Sequence, residues 1–363
     1  SHYAGNSITI SAIVGVAIII VAHILTRPLL KAIGTPSEII DLSAAYMNIL
    51  YFGVPFQMLS NNFTAISRAV GESRKPLIYF TASIFVNFAL DMLFIKVFVK
   101  NFKWGVEGAA WATLIANAVA ALLTGIYVIK YNKDVEIKKS DLKPNMATAW
   151  EQIKLGIPVS LQFTITSIGS MCLQSAVNSF GANVIAGFTA AGRVENLTNI
   201  PMSGLGVATQ TFVGQNYGAG NHKRMKQGMW VTLAMTTIYT IITGVLLLTF
   251  SHPIIRMFSA DEAVIYYGAE AMKYFCPFYW ILGILNCLAG TVRGTGKTVP
   301  PMIIMLISMC LFRIVWIKFA MPQFDSIDGI FILYPISWAI GAVMMVLYTI
   351  FGKWQNPLQK GED

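Results

Sequence analysis

Ten apolar segments run through this chain, each long enough to cross the hydrocarbon of a bilayer: 7–25, 43–67, 77–99, 106–129, 155–179, 184–213, 228–251, 264–290, 299–320 and 329–351. In lipid the backbone finds no water, so a spanning segment must be a helix or part of a closed barrel. A barrel strand crosses in about 10 residues and a helix in about 20, so these lengths select helices. The expected class is therefore an all-α integral membrane protein. Composition agrees: 55% of residues are hydrophobic and 12% charged, against about 25% charged in soluble domains. Pro55, Pro158, Pro201, Pro277 and Pro335 interrupt the segments, as membrane helices tolerate where they bend. The first run, SITISAIVGVAIIIVAHIL, is too long and wrongly flanked for a signal peptide.

Several function classes drop out. GTVRGTGKTVPP (290–301) resembles a phosphate-binding loop, but Thr291 stands where the first glycine of that motif belongs, and the preceding apolar run is too long for a strand. The four cysteines lie in apolar runs without CxxC spacing, and the four histidines are scattered. We expect no metal site, no cofactor and no enzyme. The net charge of +9 reflects loop lysines and arginines, and no nucleic-acid partner is expected. Sixteen of the 26 Lys and Arg fall in one set of alternate loops and seven in the other. The richer set, including the polar stretch 131–149, is cytoplasmic by the positive-inside rule. This gives a multi-pass protein of the plasma (inner) membrane of a prokaryote, with the lipid bilayer as its surroundings.

Sliding the chain by 225 residues places Pro28 on Pro253, Asn61 on Asn286, Arg68 on Arg293, Gly71 on Gly296 and Pro76 on Pro301. The match predicts two pseudo-symmetric bundles of parallel topology. In this reading 1–130 is an amino-terminal lobe, 131–149 a cytoplasmic linker and 150–363 a carboxyl-terminal lobe. SRAVGESRKP and TVRGTGKTVPP become two copies of one helix end, closed by glycine and followed by proline. The second half holds six spans and the first four of an expected six. We therefore expect a natural chain to carry two more helices ahead of Ser1.

FVGQNYGAGNHKRMKQG (212–228), the paired RAVGESRKP and VRGTGKTVPP ends, NFALD (87–91) and GVEGAAWAT (105–113) together resemble the multidrug and toxic compound extrusion (MATE) family, over nearly the whole chain. The resemblance implies twelve helices in two six-helix lobes, an alternating-access cavity between them, and export of small organic cations against inward H⁺ or Na⁺. It makes the spans here equivalent to helices three to twelve. It also implies a cation site in the amino-terminal lobe, whose Asn and Asp on helix five, Asn on helix four and Thr on helix six resemble Asn87, Asp91, Asn61 and Thr113. That site's further Asp, on helix one of the family, has no counterpart here. Some sodium-coupled relatives carry a Glu on helix seven and an Asp on helix ten. Those positions look like Thr166 and Leu282, which favours H⁺ over Na⁺.

The residues themselves point the same way. Asp91 lies within a span with no charge nearby until Lys96, and Asn87 sits one turn earlier on the same face. A carboxyl there holds a proton, pairs, or binds a cation; the alternative is an acid satisfied by neighbouring hydroxyls. Glu195 and Arg193 lie two apart in another span, facing different sides. Either they line the substrate cavity or they form structural ion pairs. Gln57, Gln162, Asn286 and Trp280 are further candidates for a polar and aromatic cavity suited to flat cations, with helix-to-helix hydrogen bonding the competing role for Asn286. Arg313, deep in a span, neutralises Glu195 or another acid.

The leading reading is a monomeric cation-coupled antiporter that exports drugs. The alternative is a lipid-linked oligosaccharide flippase of the same superfamily, which calls for a more cationic cavity. The orientation is testable by introducing single cysteines. A membrane-impermeant maleimide added outside intact cells should label R27C and not K143C, and in inside-out vesicles K143C and not R27C. The reverse pattern contradicts the assigned topology.

Overall fold

The computed structural model describes residues 1–32, 34–94, 107–132, 134–138, 140–324 and 326–355. The ends of two expected spans (95–99 and 106), the first two residues of GVEGAAWAT, and Lys96, Lys100, Lys103, Lys133, Lys139 and Lys360 lie outside the described residues.

Among the described residues the chain is built from ten long helices. They are α1 (His2–Ala32), α2 (Ser37–Ala69), α3 (Arg74–Leu93), α4 (Glu107–Tyr131), α5 (Met146–Phe180), α6 (Ala182–Gly218), α7 (His222–Thr249), α8 (Glu262–Gly294), α9 (Val299–Gln323) and α10 (Asp328–Phe351). Each carries one expected segment. By length and apolarity 9 of them can cross a membrane; α6, rich in Gly, Thr and Asn, falls short. Its small residues face inward instead: Gly187, Ala190, Ala191 and Gly206 are buried, as expected where helices touch without bulky side chains between them.

The chain divides into two compact units, Ser1–Ile153 and Lys154–Asp363, with the boundary inside α5. In the first unit α1 and α2 run antiparallel. Ser7 Oγ donates to Asn62 Oδ1 (3.0 Å), Asn62 Nδ2 donates to Ser11 Oγ (2.9 Å), and Thr26 Oγ1 lies 3.4 Å from Asn48 Oδ1. α2 and α4 run parallel: Gly53 lies against Leu114 and Asn117, and ten residues later Phe63 lies against Gly125. The stretch after α4 folds onto the start of α1, where the Asn145 N–H donates to Asn6 Oδ1 (2.9 Å) and Thr9 Oγ1 to the Leu142 carbonyl (2.7 Å). The start of α1 and this basic stretch thus share one end of the unit, as the charge bias requires.

The second unit is organised around α8. In its most apolar window 67% of residues are buried, against 6% in α1. Pro277 sits in a short 3₁₀ turn, Cys276–Phe278, that interrupts α8. Around this break Phe188, Phe275, Tyr279, Phe331, Tyr334 and Trp338 form a continuous aromatic cluster, with Phe275 and Tyr334 centroids 4.5 Å apart. Such pairs contribute about 0.5–1.5 kcal/mol each beyond area burial. α9 contains two π-helical stretches, Leu306–Leu311 and Trp316–Ala320, on either side of Phe312–Val315.

The two helix ends matched by the 225-residue shift are alike in detail. Gly71 and Gly296 take left-handed φ values of 89° and 83°, a conformation strained for other residues. Each donates its N–H to the carbonyl of the matched arginine, Arg68 or Arg293, at 3.0 Å. GTVRG has a second role. Gly290 and Gly294 are a GxxxG pair on α8 that meets α6: a Cβ at Gly294 would lie 2.7 Å from the Gln210 carbonyl oxygen, and one at Gly290 would overlap the Gly206 carbonyl. Glycine is what lets the two backbones touch. Gly290→Ala should therefore lower thermal stability in detergent, on the scale of about 1–3 kcal/mol for overpacking. Gly156→Ala, where an added Cβ meets nothing within 4 Å, should not. Equal melting temperatures for all three proteins would contradict this packing.

Candidate functional site

Asn87 and Asp91 lie one turn apart on α3, both half-buried. Asn87 Nδ2 and Asp91 Oδ1 are each shielded from solvent and have no hydrogen-bond partner. Leaving such atoms unpaired costs about 1–3 kcal/mol each, and more when charged. Most other polar side chains in the spans return a hydrogen bond to their own helix, as Thr124 does to Ala120 (2.6 Å) and Thr240 to Thr236 (2.8 Å). Asn6, Ser67, Asn132, Tyr279 and Arg293 also carry a shielded atom without a partner; Asn87 and Asp91 are the two that stand one turn apart on one helix and include a carboxylate.

Thr113 belongs to the same level. α3 and α4 are packed together, and Phe94 at the end of α3 meets Gly108 at the start of α4. The consecutive helices therefore run antiparallel, and the Asn87–Asp91 turn stands beside Trp111–Ile115. Thr113 is half-buried, and its hydroxyl donates to the Ala109 carbonyl (3.0 Å), leaving the oxygen's lone pairs available. Asn61 does not join this group. The Gly53–Leu114 contact puts Thr113 level with Tyr51–Phe52, so Asn61 is about 14 Å further along α2 at 1.5 Å per residue. Asn61 and Gln57 are both exposed on their unit.

In the second unit the candidates separate. Gln162 is buried, and its Oε1 accepts from Arg293 Nη1 (3.2 Å). It holds the basic end of α8 to α5, while Arg293 Nε is buried without a partner. Asn286 Nδ2 donates to the Leu282 carbonyl of its own helix (3.0 Å), which leaves its second N–H and its Oδ1 available. Trp280 is 40% exposed, whereas its neighbour Tyr279 is fully buried in the aromatic cluster. Arg193 is exposed and Glu195 half-buried. Around Glu195 gather Asn199, one turn on, and Arg313, Tyr279 and Tyr334 from three other elements. Sequence reading placed Arg313 against an acid but missed Asn199, Tyr279, Tyr334 and Ser337. Only Asn199, at helical spacing from Glu195, left a signal in the sequence. Thr166 and Leu282 offer no carboxylate; the Thr166 hydroxyl donates to the Gln162 carbonyl (2.8 Å).

Comparison with known proteins gives a consistent result. The family model described as MatE matches residues 1–93 and 158–317. Asn61, Asn87, Asp91, Glu195 and Arg313 fall inside the match, and Thr113 outside it. The chain is similar to the probable multidrug resistance protein YpnP of Bacillus subtilis, at 29% identity over 335 residues, 91% of this chain and 73% of that protein. It is similar to the probable multidrug resistance protein NorM of Thermotoga maritima at 28% identity, over 88% of this chain and 69% of the relative. A solved structure titled as the outward-facing conformation of a multidrug resistance MATE family transporter superimposes with a TM-score of 0.87, at 21% identity, covering 96% of this chain and 77% of that one.

The Gln162–Arg293 bond yields a stability test. Gln162→Leu removes the side-chain acceptor of a largely buried guanidinium. It should destabilise the protein by about 2–3 kcal/mol, the usual scale for a hydrogen bond to a charged group, read as a lower melting temperature. An unchanged melting temperature would show that the contact is dispensable.

Proposed function

The chain belongs to the MatE family of membrane transporters, and on that basis we propose that it exports small organic cations from a prokaryotic cell in exchange for an inward-moving cation, H⁺ rather than Na⁺. It is a multi-pass membrane protein and not an enzyme. We assign coupling to the Asn87–Asp91 turn with Thr113 beside it, in the first unit, and substrate contact to the second unit around Glu195. The two units serve as the two lobes of an alternating-access cycle, in a transporter that works as a monomer.

The observation that carries this reading is the pair of shielded, unpartnered atoms on Asn87 and Asp91. An ionised carboxylate at that depth is costly, and uptake of a proton removes the charge. A ligand biases a two-state transporter only through its different affinity for the two states. A carboxyl stable when protonated in one state and ionised in the other supplies that difference. The lack of a carboxylate at Thr166 and Leu282 favours protons. Asn61, at another depth, is assigned no part in coupling. The flippase alternative draws less support, since the relatives named above carry multidrug resistance names.

Efflux of ethidium from energised cells tests the proposal. Asp91→Asn should abolish efflux above background while expression and melting temperature stay near the parent, because the native Asp91 Oδ1 has no partner to lose. Collapse of the pH gradient should stop efflux by the parent, and removal of Na⁺ should not. Parent-level efflux by the Asn variant would remove Asp91 from the mechanism.

A further inference from the structure

Arg313 is 4% exposed in α9, yet its guanidinium touches only neutral groups. Nε and Nη2 donate to Ser337 Oγ at 3.2 and 3.1 Å, Nη2 lies 3.4 Å from Met309 Sδ, and the group stands 4.8 Å over the Tyr334 ring. The Ser337 hydroxyl in turn donates to the Tyr334 carbonyl (2.8 Å), so its oxygen is fixed to receive the guanidinium. A buried positive charge without an anion in contact is strongly unfavourable. Glu195 is the carboxylate within its electrostatic reach, and the two make no contact ion pair. As whole residues, Glu195 is half-buried and Arg313 fully buried.

The surroundings suit a second cation. The ionisable groups that face Glu195 are Cys276 and Tyr279 from α8, Arg313 from α9 and Tyr334 from α10. Arg313 is the sole positive group among these four. The Tyr279 hydroxyl is buried without a hydrogen-bond partner among the described residues. Tyr279, Tyr334 and Phe275 offer ring faces of the kind that attract organic cations. Arg313 sits between the two π-helical stretches of α9, which interrupt regular helices chiefly at functional sites.

We propose that Arg313 is a built-in counter-charge for Glu195: held on Ser337, Met309 and Tyr334, it balances the carboxylate at a distance, and an arriving organic cation competes with it by taking up the contact position beside the carboxylate. This deepens the export reading and rests on the substrate being a cation. It makes Glu195 a substrate-binding residue and Arg313 a residue that sets affinity from a distance. The site then avoids an unbalanced buried carboxylate between transport events.

The two roles separate in equilibrium binding of tetraphenylphosphonium to the purified full chain in nanodiscs. Glu195→Gln should weaken binding about tenfold or more, the effect of losing roughly 1.4 kcal/mol of charge attraction. Arg313→Gln should do the opposite and tighten binding several-fold, because the carboxylate loses its competitor. Arg313→Lys keeps the charge and should stay near the parent, which guards against misfolding of the Gln variant. The double variant E195Q/R313Q should bind like E195Q alone. Weaker or unchanged binding in a folded Arg313→Gln protein overturns the competition mechanism. A parent that transports but binds no cation overturns the cationic-substrate reading together with the inference. A parent that binds, with Arg313→Gln weakened, overturns the inference alone.

Discussion

A bilayer interior offers no hydrogen bonds, so each polar atom carried into it must be satisfied by the chain itself. That constraint shapes nearly everything in this protein. It makes the spans helical, and it turns threonine and serine hydroxyls back onto their own helices, as at Thr198, Thr236 and Ser308. It also makes the exceptions informative. Asn87, Asp91, Tyr279 and the charge of Arg313 are among the described places in the spans where the accounting is left open, and the proposed transport roles are assigned at this kind of site.

The helices come close enough to hold such groups because small residues line their contacts. In lipid there is little hydrophobic drive for helices to associate, and packing has to supply it. Gly206 and Gly290 bring α6 and α8 into backbone contact, and Gly53 and Gly125 admit Asn117 and Phe63 across the α2–α4 interface. In the second unit the break at Pro277 lets Phe275 and Tyr279 turn into one aromatic cluster with Tyr334 and Trp338. Tyr334 of this cluster carries the Arg313 guanidinium on its ring face. Rigid packing and unsatisfied polarity are thus neighbours: the first holds the second in place.

Much of this was legible in the sequence. Length and apolarity found each long helix, even α6, whose small and polar residues dilute the signal. The repeat identified the paired glycine ends before any coordinate did, because a left-handed turn leaves few residue choices. Asn87 and Asp91 were legible because they share one helix, where spacing fixes the face. Across helices the sequence says little. Nothing in it tells that Asn61 stands about 14 Å along the axis from Thr113, or that Gln162 meets Arg293 131 residues away. The glycines of GTVRGTGKTVPP were read as a helix end, but their close approach to α6 needed the partner helix to be seen.

The central claim is that Asp91 exchanges a proton during transport. Infrared difference spectroscopy of the protein in lipid, with and without an organic cation, observes that exchange directly through the carbonyl stretch of a protonated carboxyl. The account predicts a band that disappears when substrate binds and is missing in Asp91→Asn. A carboxylate that stays ionised with and without substrate, giving the same spectra in parent and variant, would contradict it.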